Sequence, residues 1–192
     1  MTFDINAVPQ RLIEAVREHR LVPFIGAGVS AQAGPGVFPN WTTLLTELKN
    51  HAFNRREISN DENDQIQSLL EDQKFLMAAE HLKSALPTDE YETFLEERFE
   101  PDGVNPAEVH EKLFDLRTPL VVTTNYDRLL EDAYASTHGR AVDMYTYRNA
   151  PTVQKALQDR RTNRPIVFKI HGTIADVDTV VLSESDYREL IY

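Results

Sequence analysis

Apolar positions along the chain alternate between two spacings. Leu12, Ile13 and Val16 fall on one face of an opening amphipathic helix, and residues 21–25, LVPFI, form a short apolar run that ends in Gly26-Ala27-Gly28. That order predicts a strand followed by a tight turn. Asn40 stands where it can cap a helix whose Trp41, Leu44, Leu45 and Leu48 repeat at i, i+3, i+4 and i+7, the spacing of a single buried stripe. Helical spacing then dominates from Asp61 to Leu116, first in Ile66, Leu69 and Leu70, next in Leu76, Ala79 and Leu82, then in Tyr91, Phe94, Leu95 and Phe99. A further helix is expected to open with Asn105 as its cap, Pro106 at its first position and Glu108 as a capping-box acid, turning Val109, Leu113 and Leu116 inward.

The spacing then changes. TPLVVTTN at 118–125 is β-branched and apolar, and it leads into a helix with Leu129, Leu130 and Ala133 that can stop at Gly139. PIVFKI at 165–170 is another apolar strand, ending at His171-Gly172, and VVL at 180–182 precedes a capped helix start at Ser183 with Asp186 three residues on. Near-continuous apolar strands separated by helices predict the α/β class: a Rossmann-like, doubly wound parallel sheet, with a helical insertion at about 61–116. Such sheets bind ligands beyond the carboxyl ends of their strands. Gly26-Ala27-Gly28, Asn125-Tyr126-Asp127 and His171-Gly172 all fall at such ends, which predicts one shared site.

Composition narrows what that site can hold. The 192 residues suit one domain and include no cysteine, which excludes disulfides, thiolate metal sites and thiol nucleophiles. No metal is expected. The N-terminus, MTFDINAVPQRLIEAV, carries acid before base and has no unbroken apolar core, so neither a signal peptide nor a membrane anchor is read there, and a cytoplasmic location is expected. A formal net charge of -11 argues against direct nucleic-acid binding; the short cluster Arg160, Arg161 and Arg164 is the nearest candidate for an anion site.

A Gly-x-Gly turn lets a diphosphate approach the backbone at the N-terminus of a helix, but it also serves close strand–helix packing. The dehydrogenase fingerprint is not met, because Ala31 replaces its third glycine and no acidic strand end follows. Asn125 offers a neutral amide, suited to placing a nucleophile beside developing positive charge, and asparagine also caps helices. His171 offers a proton acceptor with a pKa near neutrality, or a satisfied structural histidine. Asp127 fits a ligand contact or the first turn of the following helix.

The ordered blocks carry a family resemblance. FIGAGVSAQAG at 24–34 is similar to the sirtuin signature GAGxSxxxG, TTNYD at 123–127 resembles TQNxD, and KIHG at 169–172 resembles the segment ending in the catalytic His-Gly. The resemblance implies that NAD is bound as substrate, with Gly26, Ala27, Gly28 and Ser30 at its phosphates, Asn125 and Asp127 beside the nicotinamide ribose, and His171 at the ribose hydroxyls. Departures from the pattern shift the implied activity. The arginine of I-P-x-F-R is missing, the glutamine before the asparagine is Thr124, and the four zinc cysteines are absent, so protein deacylation loses support.

GAGVS, a Pro-x-Trp, TTNYD, KIHG and LSESDYREL together resemble the sirtuin-like domains of bacterial antiphage defence systems. That resemblance implies an NAD glycohydrolase yielding nicotinamide and ADP-ribose, with Asn125 and His171 as its catalytic residues. The alternative is a non-catalytic module that binds NAD or ADP-ribose and scaffolds an assembly. By the same analogy a homo-oligomer is expected, working with a helicase-type ATPase, an Argonaute or a further domain as sensor. No counterpart of the family's later strand, ending in a Gly-x-Ser turn at the adenosine half of NAD, is read before Tyr192, so the sheet is expected to be incomplete at the C-terminal side.

Overall fold

A computed structural model describes residues 7–159 and 164–191, and structural statements below refer to these. Four parallel strands, β1 (Phe24–Ile25), β2 (Leu120–Thr123), β3 (Asp143–Thr146) and β4 (Ile166–Lys169), form one sheet in the order β1-β2-β4-β3. The mixed α/β architecture expected from the sequence is present, with the crossovers supplied by helices. Ile25, Val121 and Val167 alternate onto one face, where they pack against α7 (Glu108–Asp115) and α8 (Leu129–His138) through Phe114, Leu130, Ala133 and Tyr134. Leu120 and Ile166 point to the opposite face, beside Ala156 and Leu157 of α9 (Ala150–Asp159).

A second core is helical. The opening helix α1 (Gln10–Arg17) contributes no buried residue, and α2 (Ala27–Ser30) is a single turn at the end of β1. α3 (Trp41–Arg55), α4 (Asn60–Glu71), α5 (Phe75–Ala85) and α6 (Thr88–Phe99) bring Leu44, Leu45, Leu48, Ile66, Leu82 and Leu95 together. The Asn40 cap is formed, its side chain accepting from the Thr43 N–H at 2.9 Å. Within the span 61–116, α4, α5 and α6 pack with α3, while α7 lies against α8 on the sheet. Burial of apolar surface in both cores supplies the main driving force.

Some local expectations give way. The run 21–25 pairs only at Phe24 and Ile25, because β1 is an edge strand and Pro23 has no N–H to donate. Phe24 is correspondingly 66% exposed. α7 begins two residues later than the Asn105 cap predicts: Ala107 is still extended, and its N–H donates to His110 Nδ1 at 3.1 Å. Its buried face is therefore His110 and Phe114, with Val109, Leu113 and Leu116 only half-buried. Phe114 decides this register by packing edge-on against Tyr134, ring centroids 5.0 Å apart. β3 and α9 have no counterpart in the sequence reading. Arg160 and Arg161 lie outside the described residues, and Arg164 sits 3.9 Å from Asp143.

The final helix, α10 (Glu184–Ile191), starts as its cap predicts, with Ser183 N–H donating to Asp186 Oδ2 at 2.8 Å and Asp186 N–H to Ser183 Oγ at 3.3 Å. The preceding Val180, Val181 and Leu182 are buried but outside the sheet, tied by Val181 N–H to the His171 carbonyl at 2.9 Å. No helix among the described residues is long and apolar enough to cross a membrane.

Candidate active site

The turns after β1, β2 and β4 converge on one cleft of about 200 Å³. Asn125, Asp127 and His171 form its polar side, and Phe38, Trp41, Leu44 and Phe99 its apolar side. A concave apolar wall with a few converging polar groups is the usual form of a small-molecule site. Pockets for drug-sized ligands run from about 300 Å³ upward, so this cleft accommodates part of a dinucleotide, such as one ring and its ribose.

Asn125 is fixed by two donated hydrogen bonds, from Nδ2 to the Gly26 carbonyl at 3.1 Å and to Ser30 Oγ at 2.7 Å. Both amide hydrogens are thereby used, which sets the amide's orientation and leaves Oδ1 as the group open to a ligand. Ser30, 2% exposed, passes its own proton on to Asp127 Oδ2 at 2.6 Å. The other Asp127 oxygen accepts from the Leu129 N–H at 3.1 Å, at the start of α8. Capping of that helix thus falls to Asp127, and Asn125 is free to serve the cleft. The β1 and β2 turns are joined by this chain of bonds rather than merely adjacent.

The same loop is held from behind. Lys169, fully buried at the end of β4, donates to the backbone carbonyls of Tyr126, at 3.3 Å, and of Asp127, and its Nζ lies 2.9 Å from Glu131 Oε1. Burial pushes the Glu131 carboxyl above the usual range, and Lys169 opposes that shift. An ammonium with three donors and three oxygen partners is fully satisfied there, which is the condition for keeping such a charge inside.

His171 follows Lys169 by two residues. Gly172 beside it has φ of 84°, and a Cβ there would lie 1.9 Å from the Thr179 carbonyl oxygen, so only glycine fits and the histidine is carried on a fixed turn. Burial pulls the His171 pKa below its ordinary value, so the ring is neutral near pH 7 and able to accept a proton.

Gly26 and Gly28 behave differently from Gly172. Neither has positive φ; a Cβ at Gly28 would meet nothing within 4 Å, and one at Gly26 only Thr124 Oγ1 at 4.0 Å. Packing within the chain does not demand glycine at either position. What the missing side chains preserve is open space at the carboxyl edge of the sheet, the condition for a ligand to approach the backbone.

The fold therefore brings Ala27, Ser30, Asn125, Asp127 and His171 to one cleft, with Gly26 supplying a carbonyl to Asn125 and Gly28 placed in the turn beneath. Sequence reasoning missed Lys169 as a support, and the aromatic side made by Phe38, Trp41 and Phe99. A lysine closing an apolar strand was the available signal for Lys169. Phe38 lies in the loop before α3, Trp41 opens α3 and Phe99 closes α6, so only the fold brings the third aromatic to the other two. Among the described residues no group of three or more histidines and carboxylates is placed to hold a metal ion.

The parallel sheet and the three turns at its carboxyl edge define a Rossmann-like site. Residues 119–192 match the family model of the SIR2-like domain, which bears out the resemblance read from the motifs. The chain is 26% identical over 191 residues to an NAD(+) hydrolase ThsA of Enterococcus faecium, covering 97% of this chain and 35% of that protein. It is likewise 26% identical over 196 residues to defense-associated sirtuin 2 of Bacillus subtilis, covering 97% and 17%, and 27% identical over 188 residues to an NAD(+) hydrolase ThsA of Cytobacillus dafuensis, covering 98% and 33%. The chain spans about a third or less of the length of these relatives.

Proposed function

We propose that the protein hydrolyses NAD at the bond between nicotinamide and ribose, releasing nicotinamide and ADP-ribose, as the effector of a bacterial antiphage defence system. One observation carries the reading: a fixed asparagine amide and a neutral histidine line a single cleft at the carboxyl edge of the sheet. The relatives named as NAD(+) hydrolases and as a defence-associated sirtuin support the choice of substrate and setting.

In this reading the nicotinamide ring and its ribose enter the cleft against Phe38, Trp41 and Phe99. The diphosphate lies over the space left at Gly26 and Gly28. Departure of nicotinamide leaves positive charge on the ribose at C1′, and the Asn125 carbonyl oxygen stabilises that charge or holds the attacking water. Water forms the new bond to C1′, and His171 takes the proton it loses, so the balance is NAD plus water giving nicotinamide, ADP-ribose and one proton. Ser30, Asp127 and Lys169 hold the asparagine loop and do not touch the reacting atoms. Homo-oligomerisation and coupling to a separate sensor belong to the same reading and are tested by measuring mass in solution with and without activation.

The experiment is nicotinamide release from NAD by the protein in its complete natural form, beside calorimetry of NAD binding. Tight binding without product over hours favours a non-catalytic binding module instead.

A further inference from the structure

Helix α10 brings one more side chain to the site. Tyr187 Oη lies 3.3 Å from His171 Nε2, and the two rings meet edge to face with centroids 5.3 Å apart. The placement is rigid. Asp186, next in the chain, pairs with Lys83 of α5 at 2.5 Å and accepts the N–H groups of Leu182 and Ser183, and the Ser185 N–H donates to Glu80 of α5 at 2.9 Å. The start of α10 is thus bolted to the helical cluster, and Tyr187 is held over the histidine from outside the β4 turn.

We propose that Tyr187 is a positioning residue for His171: its Oη accepts the Nε2–H, which fixes that tautomer and leaves Nδ1 as the acceptor available to the cleft. The inference deepens the hydrolase reading and rests on His171 being its proton acceptor. Neutral imidazole has one N–H and one lone pair, and the partner of one nitrogen decides which nitrogen carries the proton. Nε2 has Tyr187, while Nδ1 has no hydrogen-bond partner among the described residues. A phenol donating to Nε2 would put the proton on Nδ1 and leave the cleft without a base. A phenol accepting from Nε2–H leaves Nδ1 basic and keeps its hydrogen bond when the ring becomes an imidazolium, the part played by the third member of a catalytic triad. Burial raises the Tyr187 pKa, so the group remains a neutral phenol under these conditions.

The test combines tautomer and kinetics in the complete protein. Nitrogen-15 spectra of the imidazoles, with the His171 signals assigned by their loss in His171→Gln, are recorded without NAD for the parent and for Tyr187→Phe, which keeps the ring packing and removes only the hydroxyl. The expected parent spectrum shows His171 protonated at Nε2, and Tyr187→Phe shows a mixture of tautomers. For nicotinamide release, Tyr187→Phe is expected to lower kcat about tenfold or more with KM within about twofold of the parent. An Nδ1-protonated His171 in the parent overturns the proposal, as does an unchanged tautomer in Tyr187→Phe, or a kcat within about twofold of the parent. The spectra need no turnover. A tautomer that responds to Tyr187→Phe in a protein releasing no nicotinamide upholds the pairing while the hydrolase reading falls.

Discussion

Asn125 Nδ2 donates to Ser30 Oγ at 2.7 Å, across 95 positions of sequence. This bond, continued from Ser30 to Asp127, means that the turn after β1 and the turn after β2 act as one unit. An asparagine whose two donors are spent on protein partners cannot rotate its amide, so the carbonyl oxygen is presented in one orientation before any ligand arrives. Pre-set polar groups of this kind cost no reorganisation during reaction.

Ser30→Ala breaks both bonds and leaves Asp127 Oδ2 without its partner at a site only 5% exposed. A lost buried partner costs about 1–3 kcal/mol, seen as a lowered midpoint in urea or heat. Catalysis falls further than stability, because Asn125 regains rotational freedom; Ser30→Thr, which retains a hydroxyl, is expected to recover part of both.

Gly28→Ala separates folding from ligand binding. The position is in α2 with no neighbour within 4 Å of a new Cβ, so stability holds or rises by about 0.4–1 kcal/mol. Affinity for NAD, measured by calorimetry, falls because the methyl occupies space that the diphosphate requires. Unchanged affinity removes the argument that this space is reserved for ligand.

Lys169→Met leaves Glu131 buried without its ammonium and frees the carbonyls of Tyr126 and Asp127. Removing one member of a buried pair costs about 3–5 kcal/mol, and the double variant Lys169→Met with Glu131→Gln is expected to be more stable than the lysine variant alone. A double-mutant cycle on melting curves reads the coupling. Activity does not return in the double variant, since the asparagine loop still lacks its support.

The sheet, its carboxyl edge and the chain order of the three turns were legible in the sequence, because Val121, Val122, Ile166 and Val167 are unmistakably strand-like and each turn carries a residue of distinctive chemistry. β3 was not, since Asp143, Met144 and Tyr145 sit half-exposed toward an edge and show no apolar run. The start of α7 was misplaced because Phe114 packing outweighs the local capping signal at Asn105. At the site, residue types were legible but roles were not. Whether Asn125 or Asp127 caps α8 depends on which side chain reaches the Leu129 N–H, and only the fold settles that.

The depressed pKa of His171 predicts where activity fades in acid. Its neutral form is the working base, so kcat/KM falls as pH drops through the folded pKa, with the acid midpoint below the ordinary histidine value of about 6.5. Stability follows the same sign: the unfolded chain takes up this proton first, so folding weakens as pH falls through that range. A pH–rate profile with its acid limb above about 6.5 contradicts the assignment.

The most direct measurement is nicotinamide released from NAD by the complete, activated protein, set beside Asn125→Ala and His171→Ala. The account predicts release by the parent and a loss of about a hundredfold or more in each variant, with folding intact by circular dichroism. No release by the parent, or equal release by parent and both variants, contradicts it.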